Sequence, residues 1–267
     1  MDWKLELVSI PVTDVDRALA FYTEKAGFNA DHDHRVSDEI RFVQLTPPGS
    51  ACSIALGTGI TESPPGSAQV QIVVADIHAA RRARRAQRGS QRRPGVRLGL
   101  LRVFQRPGRK PLGRAAAPRP RLGSSSMDFK LELVLLPLSD VDRAKAFYTE
   151  NVGFSLDVDH QPSDEFRIVQ MTPPGSACSI TIGIGITSAE PGSYRGTHLV
   201  VTDIEAARAE LVERGVDVGE IRHFDRAEGE WRPGVDPTHT DYSSFADFAD
   251  PDGNTWVLQE VRVGKPG

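Results

Sequence analysis

Few side chains in this sequence are placed to do chemistry. His198 sits in the apolar run Thr197–Val201 and Gln259 in the run Thr255–Glu260, both of strand character. One imidazole and one amide suit hydrogen bonding to a small molecule and make a poor divalent-cation site. Trp231 and Tyr242 flank a long polar stretch and suit aromatic walls for a ligand, or caps over the core beneath. The stretch Asp236-Pro237-Thr238-His239-Thr240-Asp241-Tyr242 has the length of a lid or binding loop. In it His239 with Asp241 could orient a proton carrier, although an exposed His–Asp pair is commonly idle. Asp157, Asp159 and His160 form a further cluster, matched by Asp31, Asp33 and His34. Alternation along a strand sends His160 to the face opposite both aspartates, so a solvated edge strand is the expectation unless a bulge intervenes. Gln170 and Arg167 have opposite parity, so one of them faces any cleft. There is no Gly-rich phosphate loop, no Ser/His/Asp order with supporting turn chemistry and no CxxC, which leaves nucleotide hydrolysis and acyl transfer without support.

The elements that must position these side chains occur twice. KLELV (4–8 and 130–134), DVDRA (14–18 and 140–144), AFYTE (20–24 and 146–150) and TPPGSACSI (46–54 and 172–180) repeat in order, so the chain contains an internal duplication. In the second copy Lys130–Leu136 reads as a strand. Asp140 caps a helix with Val141, Ala144 and Tyr148 on its inner face, and Gly153 stops it. Strands Ser155–Asp159, Phe166–Met171 and Ala177–Gly183 follow, with Pro173-Pro174-Gly175-Ser176 turning between the last two. The plan then recurs: a strand Thr197–Val201, a helix capped by Thr202 or Asp203 and stopped by Gly215, a strand Val216–Phe224, and a long polar loop to Ser243. A closing hairpin, Phe245–Glu260, turns on Asp250-Pro251-Asp252-Gly253-Asn254. The predicted fold class is α+β, with paired βαβββ modules forming a curved mixed sheet, helices outside and a concave cleft.

The strand followed by Ser-Asp-Val-Asp-Arg-Ala, Phe-Tyr and Gly-Phe, together with the closing Asp-Pro-Asp-Gly-Asn, resembles the vicinal oxygen chelate superfamily. That family includes glyoxalase I, bleomycin and fosfomycin resistance proteins and extradiol dioxygenases. The resemblance covers Met127–Val263 completely and Met1 to about Ala80 partially. It implies metal ligands seven residues before each helix-opening Asp and four after the turn Gly. Those positions hold Leu7, Leu133, Gly196 and Val257, which donate nothing, so the usual metal site is not expected, nor is a cofactor. Alternation places His198 on the face of Gly196 and Gln259 on that of Val257. The resemblance therefore implies a binder of a small apolar or aromatic molecule, held by Leu133, Leu135, Val257, Trp231 and Tyr242, with Gln170, His198 and Gln259 as polar contacts. The alternative is a metal-dependent lyase, isomerase or dioxygenase. The family's habit of pairing modules between chains implies a homo-oligomer.

Charge divides the 267 residues. Between Arg81 and Ser126 stand 14 Arg, one Lys and no acid; without those 15 bases the remaining 17 face 36 acids, a net of about −19. The expected domains are an incomplete repeat (1–80), an Arg/Pro/Gly-rich linker (81–126) and a complete domain (127–264). The linker reads as a basic tether for nucleic acid or anionic membrane, as disorder without a partner, or, the favoured reading, as GC-rich codons translated out of phase after a frameshift. It is expected to be mostly unstructured, and nucleic acid is not the expected partner. Cys52 and Cys178 occupy equivalent positions and read as buried thiols, not a disulfide. The start of the chain has no signal-like apolar region and no run is long enough to span a bilayer, so a cytoplasmic location is expected.

Overall fold

The structure, a computed structural model, describes residues 3–74, 102–105, 129–225 and 228–262. The first copy contributes β1 (Lys4–Ser9), helix α1 (Val15–Ala20, running into a π-helical turn Phe21–Lys25), β2 (Asn29–Arg35), β3 (Arg41–Thr46), β4 (Ser53–Thr58) and β5 (Gln69–Val74). After β6 (Arg102–Gln105) the second copy supplies β7 (Phe129–Leu135), α2 (Val141–Ala146 with the π turn Phe147–Val152), β8 (Ser155–Ser163), β9 (Phe166–Thr172) and β10 (Ser179–Ile184). Its later part adds β11 (Thr197–Val201), α3 (Ile204–Glu213), β12 (Arg222–Asp225), β13 (Glu230–Pro233), β14 (Ser244–Ala249) and β15 (Thr255–Glu260). Each helix is capped as its sequence requires. Asp14, Asp140 and Asp203 accept the backbone N–H of Arg17, Arg143 and Ala206 at 2.9, 3.0 and 2.9 Å. Gly153 closes α2 with φ of 87°, a left-handed turn that costs glycine little.

The modules pair across the duplication. A nine-stranded sheet runs β13-β12-β14-β15-β11-β1-β4-β3-β2, and a six-stranded sheet runs β6-β5-β7-β10-β9-β8. Thus the two βαβββ units of the second copy lie in different sheets, each continued by strands of the first. The reason is the edge: the first strand of every module would otherwise expose unpaired backbone groups. β1 meets β11 antiparallel, and β7 meets β5 antiparallel. Pairing that the resemblance expects between chains takes place here within one.

One continuous apolar core fills the space where the helices pack, drawing Trp3, Leu5, Val8, Tyr22 and Leu45 from the first copy and Val134, Tyr148, Val152, Leu199, Leu211, Trp256 and Leu258 from the second. The repeated TPPGSACSI segments join the copies reciprocally. Ser50 Oγ accepts the N–H of Leu131, and Ser176 Oγ that of Leu5, both at 3.1 Å. Each serine satisfies an amide beside the bulge in the other copy's first strand.

Three readings of the chain change. The polar loop before Ser243 contains a strand, β13, and the expected strand Val216–Phe224 shortens to β12 with an isolated bridge Val218↔Phe248. Within the basic segment residues 102–105 form β6, parallel to β5, where extended backbone continues a sheet edge; the remainder of that segment lies outside the described residues. β8 extends to Ser163 and carries a bulge between Leu156 and Val158, with consequences given below.

Candidate functional site

Because one side of the nine-stranded sheet is buried against the helices, alternation dictates what stands on the other. Trp256 and Leu258 of β15 point into the core, so Val257 and Gln259 turn to the opposite side, Val257 partly exposed and Gln259 buried there. Register carries a row across five strands: Asp247 opposite Val257, Val257 beside His198, His198 opposite Leu7, and Leu7 beside Ser53. His198 is half-buried among the hydrocarbon of Leu7 and Val257. Burial lowers its pKa from the usual 6.5, opposed by the hydrogen bond to Gln259 and the charge of Asp247.

His198 Nδ1 lies 3.2 Å from Gln259 Oε1, and Gln259 Nε2 donates to the carbonyl of Tyr242 at 3.3 Å. Alternation puts Gln259 on the face of Val257, and the pairing of β11 with β15 brings His198 onto that face as well. Among the described residues Tyr242 and His239 are the two non-glycine residues with positive φ, 64° and 49°. They belong to a strap pinned to the end of β15. The Tyr242 N–H donates to the Glu260 carbonyl at 2.8 Å, His239 Nδ1 pairs with Glu260 Oε2 at 3.1 Å, and Arg262 Nε reaches Glu260 Oε1 at 3.4 Å. Glu260 is buried, and His239 pairs with it rather than with Asp241, which accepts the Arg262 N–H. The Tyr242 phenol is pushed up to about 12 by burial and by the nearby carboxylates of Glu6 and Asp241.

An aromatic wall stands beside this chain. The β12–β13 hairpin, unrecognised in the sequence, sets Trp231 opposite Phe224, and β14 brings Phe245 opposite Arg222. Trp231 packs edge-on to Phe224 and Phe245, each with centroids 5.5 Å apart, and remains 53% exposed. The Arg222 guanidinium lies 5.1 Å over its ring while pairing with Asp247. The signal available for this hairpin was Phe224 and Trp231 placed on either side of Gly229, whose φ of 72° suits the turn, hidden because strand and loop share polar residues there.

The predicted contact residues do not all meet. His198, Trp231, Tyr242, Val257 and Gln259 belong to the nine-stranded sheet and its loops, whereas Leu133, Leu135 and Gln170 belong to the six-stranded sheet. There Leu133 stands beside Ser179 and opposite Gln71, which takes the place that His198 holds in the larger sheet. Gln71 in turn is in register with Arg102, as His198 is with Val257. Gln170, not Arg167, takes the open side and reaches Ser179 Oγ at 3.4 Å; Arg167 turns to the helix and pairs with Asp142 and Asp159. The β8 bulge separates the two aspartates expected on one face. Asp157 accepts from Thr172 at 2.5 Å, while Asp159 accepts from Arg167 and Lys145, which hold its carboxyl well below the usual range. The first copy repeats this pattern: Thr46 bonds Asp31, and Asp33 pairs with Arg41.

Leu7, Gly196 and Val257 occupy the places where the resemblance expects metal donors. Gly196 has φ of 78°, and a Cβ there would stand 3.1 Å from Ser9 Oγ, so the backbone itself disfavours a ligating side chain. Among the described residues no three His, Cys, Asp or Glu side chains form a group able to hold a metal ion. The donors on this face do not fit a divalent centre.

The model of the Glyoxalase/Bleomycin resistance protein/Dioxygenase superfamily matches residues 130–258. TnmS3, an antibiotic binding protein from Streptomyces sp. CB03234, is 36% identical over 48% of this chain and 93% of its own, with a TM-score of 0.37. Glyoxalase I from Zea mays is 18% identical with a TM-score of 0.66, covering 97% of this chain and 92% of that one. The uncharacterized protein YetH of Bacillus subtilis (strain 168) is 26% identical over 131 residues, 48% of this chain and 94% of its own length. With the family model, the two-module architecture and the duplicated helix-opening motif in agreement, the chain belongs to the Glyoxalase/Bleomycin resistance protein/Dioxygenase superfamily.

Proposed function

We propose that the open face of the nine-stranded sheet binds a small apolar or aromatic molecule without a metal ion or cofactor. The observation that carries this reading is the exposed Trp231, held edge-on by Phe224 and Phe245 beside the polar chain His198–Gln259–Tyr242 over a floor of Leu7 and Val257. An exposed aromatic with a fixed orientation, next to convergent hydrogen-bonding groups, is the composition of a ligand cleft. The sequence identity with an antibiotic binding protein agrees with sequestration as the activity. Leu133, Leu135 and Gln170 then belong to a second, plainer face of the six-stranded sheet.

Fluorescence titration of the full chain with naphthalene tests the reading. Binding is expected to quench Trp231 in the wild type, and Trp231→Ala, followed through the fluorescence of naphthalene itself, is expected to bind at least about tenfold more weakly while keeping the far-UV circular dichroism of the wild type. Unchanged affinity in that variant would refute the aromatic wall. Elemental analysis of the purified chain guards the other side: stoichiometric nickel, zinc, iron or manganese would restore the metal-dependent enzyme in its place.

A further inference from the structure

The hydrogen bonds behind His198 have only one self-consistent direction. The Tyr242 carbonyl can only accept, so the Gln259 amide must turn its NH2 toward it and present Oε1 to His198. Oε1 can only accept in turn, so the proton of a neutral His198 resides on Nδ1, 3.2 Å away. Nε2 is left with a lone pair, and among the described residues no group donates to it. The neighbours of His198 across the sheet on either side are Leu7 and Val257, whose side chains offer nothing polar.

We propose that His198 Nε2 is the specificity element of this cleft, an acceptor that selects aromatic ligands carrying an O–H or N–H donor, with Gln259 and the Tyr242 carbonyl as positioning groups that fix the tautomer. The inference rests on the ligand-binding reading above and names the ligand chemistry that reading leaves open. A phenol or an anilide N–H satisfies Nε2, whereas a bare hydrocarbon leaves an acceptor desolvated. A ligand with only acceptors at that point meets lone pair against lone pair. Burial keeps the ring neutral near pH 7, which the role requires. The charged group bearing on it is Asp247 of β14, itself paired with Arg222 of β12; Glu6, at the β1 bulge, bears on Tyr242, and no titratable group comes from β15 at Val257 or Gln259. Lowering the pH protonates Nε2 and turns the acceptor into a donor, so the selectivity must fade in acid.

The experiment has two arms. In the first, 15N NMR of histidine-labelled full chain without ligand is expected to show His198 as the neutral Nδ1–H tautomer at pH 7.5, and Gln259→Leu is expected to remove that bias. An Nε2–H tautomer or an imidazolium in the wild type overturns the inference. In the second, 2-naphthol and naphthalene are compared by Trp231 quenching. Naphthol is expected to bind about tenfold tighter at pH 7.5, the size of one good hydrogen bond in a desolvated site, with the preference lost in His198→Phe and, in the wild type, lost at the pH where the 15N spectrum shows the His198 ring taking up its second proton. Equal affinities overturn the inference while leaving the aromatic cleft standing. Failure of both compounds to bind removes the cleft reading and the inference with it.

Discussion

Tyr148 shows how a motif that looks functional can be structural. Its hydroxyl donates to Asp250 Oδ2 at 2.8 Å and accepts from Trp256 Nε1 at 3.0 Å. Asp250 also takes the Asn254 side-chain amide at 2.8 Å and the backbone N–H groups of Asp252 and Asn254 at 3.0 and 2.9 Å. The Asn254 amide continues to the Pro137 carbonyl at 2.8 Å. The Asp-Pro-Asp-Gly-Asn turn therefore ties β15 to α2 and the end of β7, far from the open face, and burial with Asp250 alongside pushes the Tyr148 phenol well up. Tyr148→Phe strips Asp250 of a donor and Trp256 of an acceptor in the buried interior. It is expected to destabilise the chain by about 1–3 kcal/mol, read as a lower denaturation midpoint with ligand affinity unchanged. In the first copy Tyr22 holds the matching place, and burial pushes its phenol to about 12.

Among the elements, the strap 236–243 matters most, because it sets the carbonyl that orients Gln259. Two left-handed non-glycine residues hold it in a conformation that costs free energy, and the buried Glu260 compensates by accepting from His239 and Arg262. Removing that carboxylate should release the strap while leaving the sheet intact. Glu260→Ala is expected to speed hydrogen exchange at the Tyr242 amide by at least about tenfold over its β15 neighbours, since local opening no longer breaks the His239 and Arg262 contacts. Equal protection in wild type and variant would show that the strap is held by something else. The β12–β13 hairpin is the other element that counts. It converts polar residues into an aromatic wall only because its register places Trp231 opposite Phe224.

For the whole molecule, the governing fact is that each sheet is built from both copies. The 127–267 fragment contains β7 and β11 without β5 and β1 to pair with them. β7 repeats the sequence of β1, so the free β7 of one fragment can meet β11 of another as β1 meets β11 here. The fragment is accordingly expected to run as a dimer in sedimentation, where burial of the two exposed edges offsets the loss of translational freedom. A stable, folded monomer would overturn the edge account. Among the described residues no helix is long and apolar enough to cross a membrane. Cys52 and Cys178 are buried free thiols, and burial together with the neighbouring Cys178 raises the Cys52 thiol.

Local chemistry alone, read from the sequence, determined the duplication, the capped helices, the βαβββ order and the shared face of Val257 and Gln259. Caps act over three residues and alternation over two, so both survive without knowledge of the rest of the chain. The tertiary structure decided which strands became neighbours. Leu133, Leu135 and Gln170 look interchangeable with the His198 group in sequence, yet hydrogen bonding between the edges of different copies places them in another sheet. A bulge of one residue in β8 separated Asp157 from Asp159, and a loop that reads as polar became the hairpin bearing Trp231. Pairing partners, bulges and the direction of a side-chain hydrogen bond are set by contacts between residues distant along the chain, which spacing in one sequence does not encode.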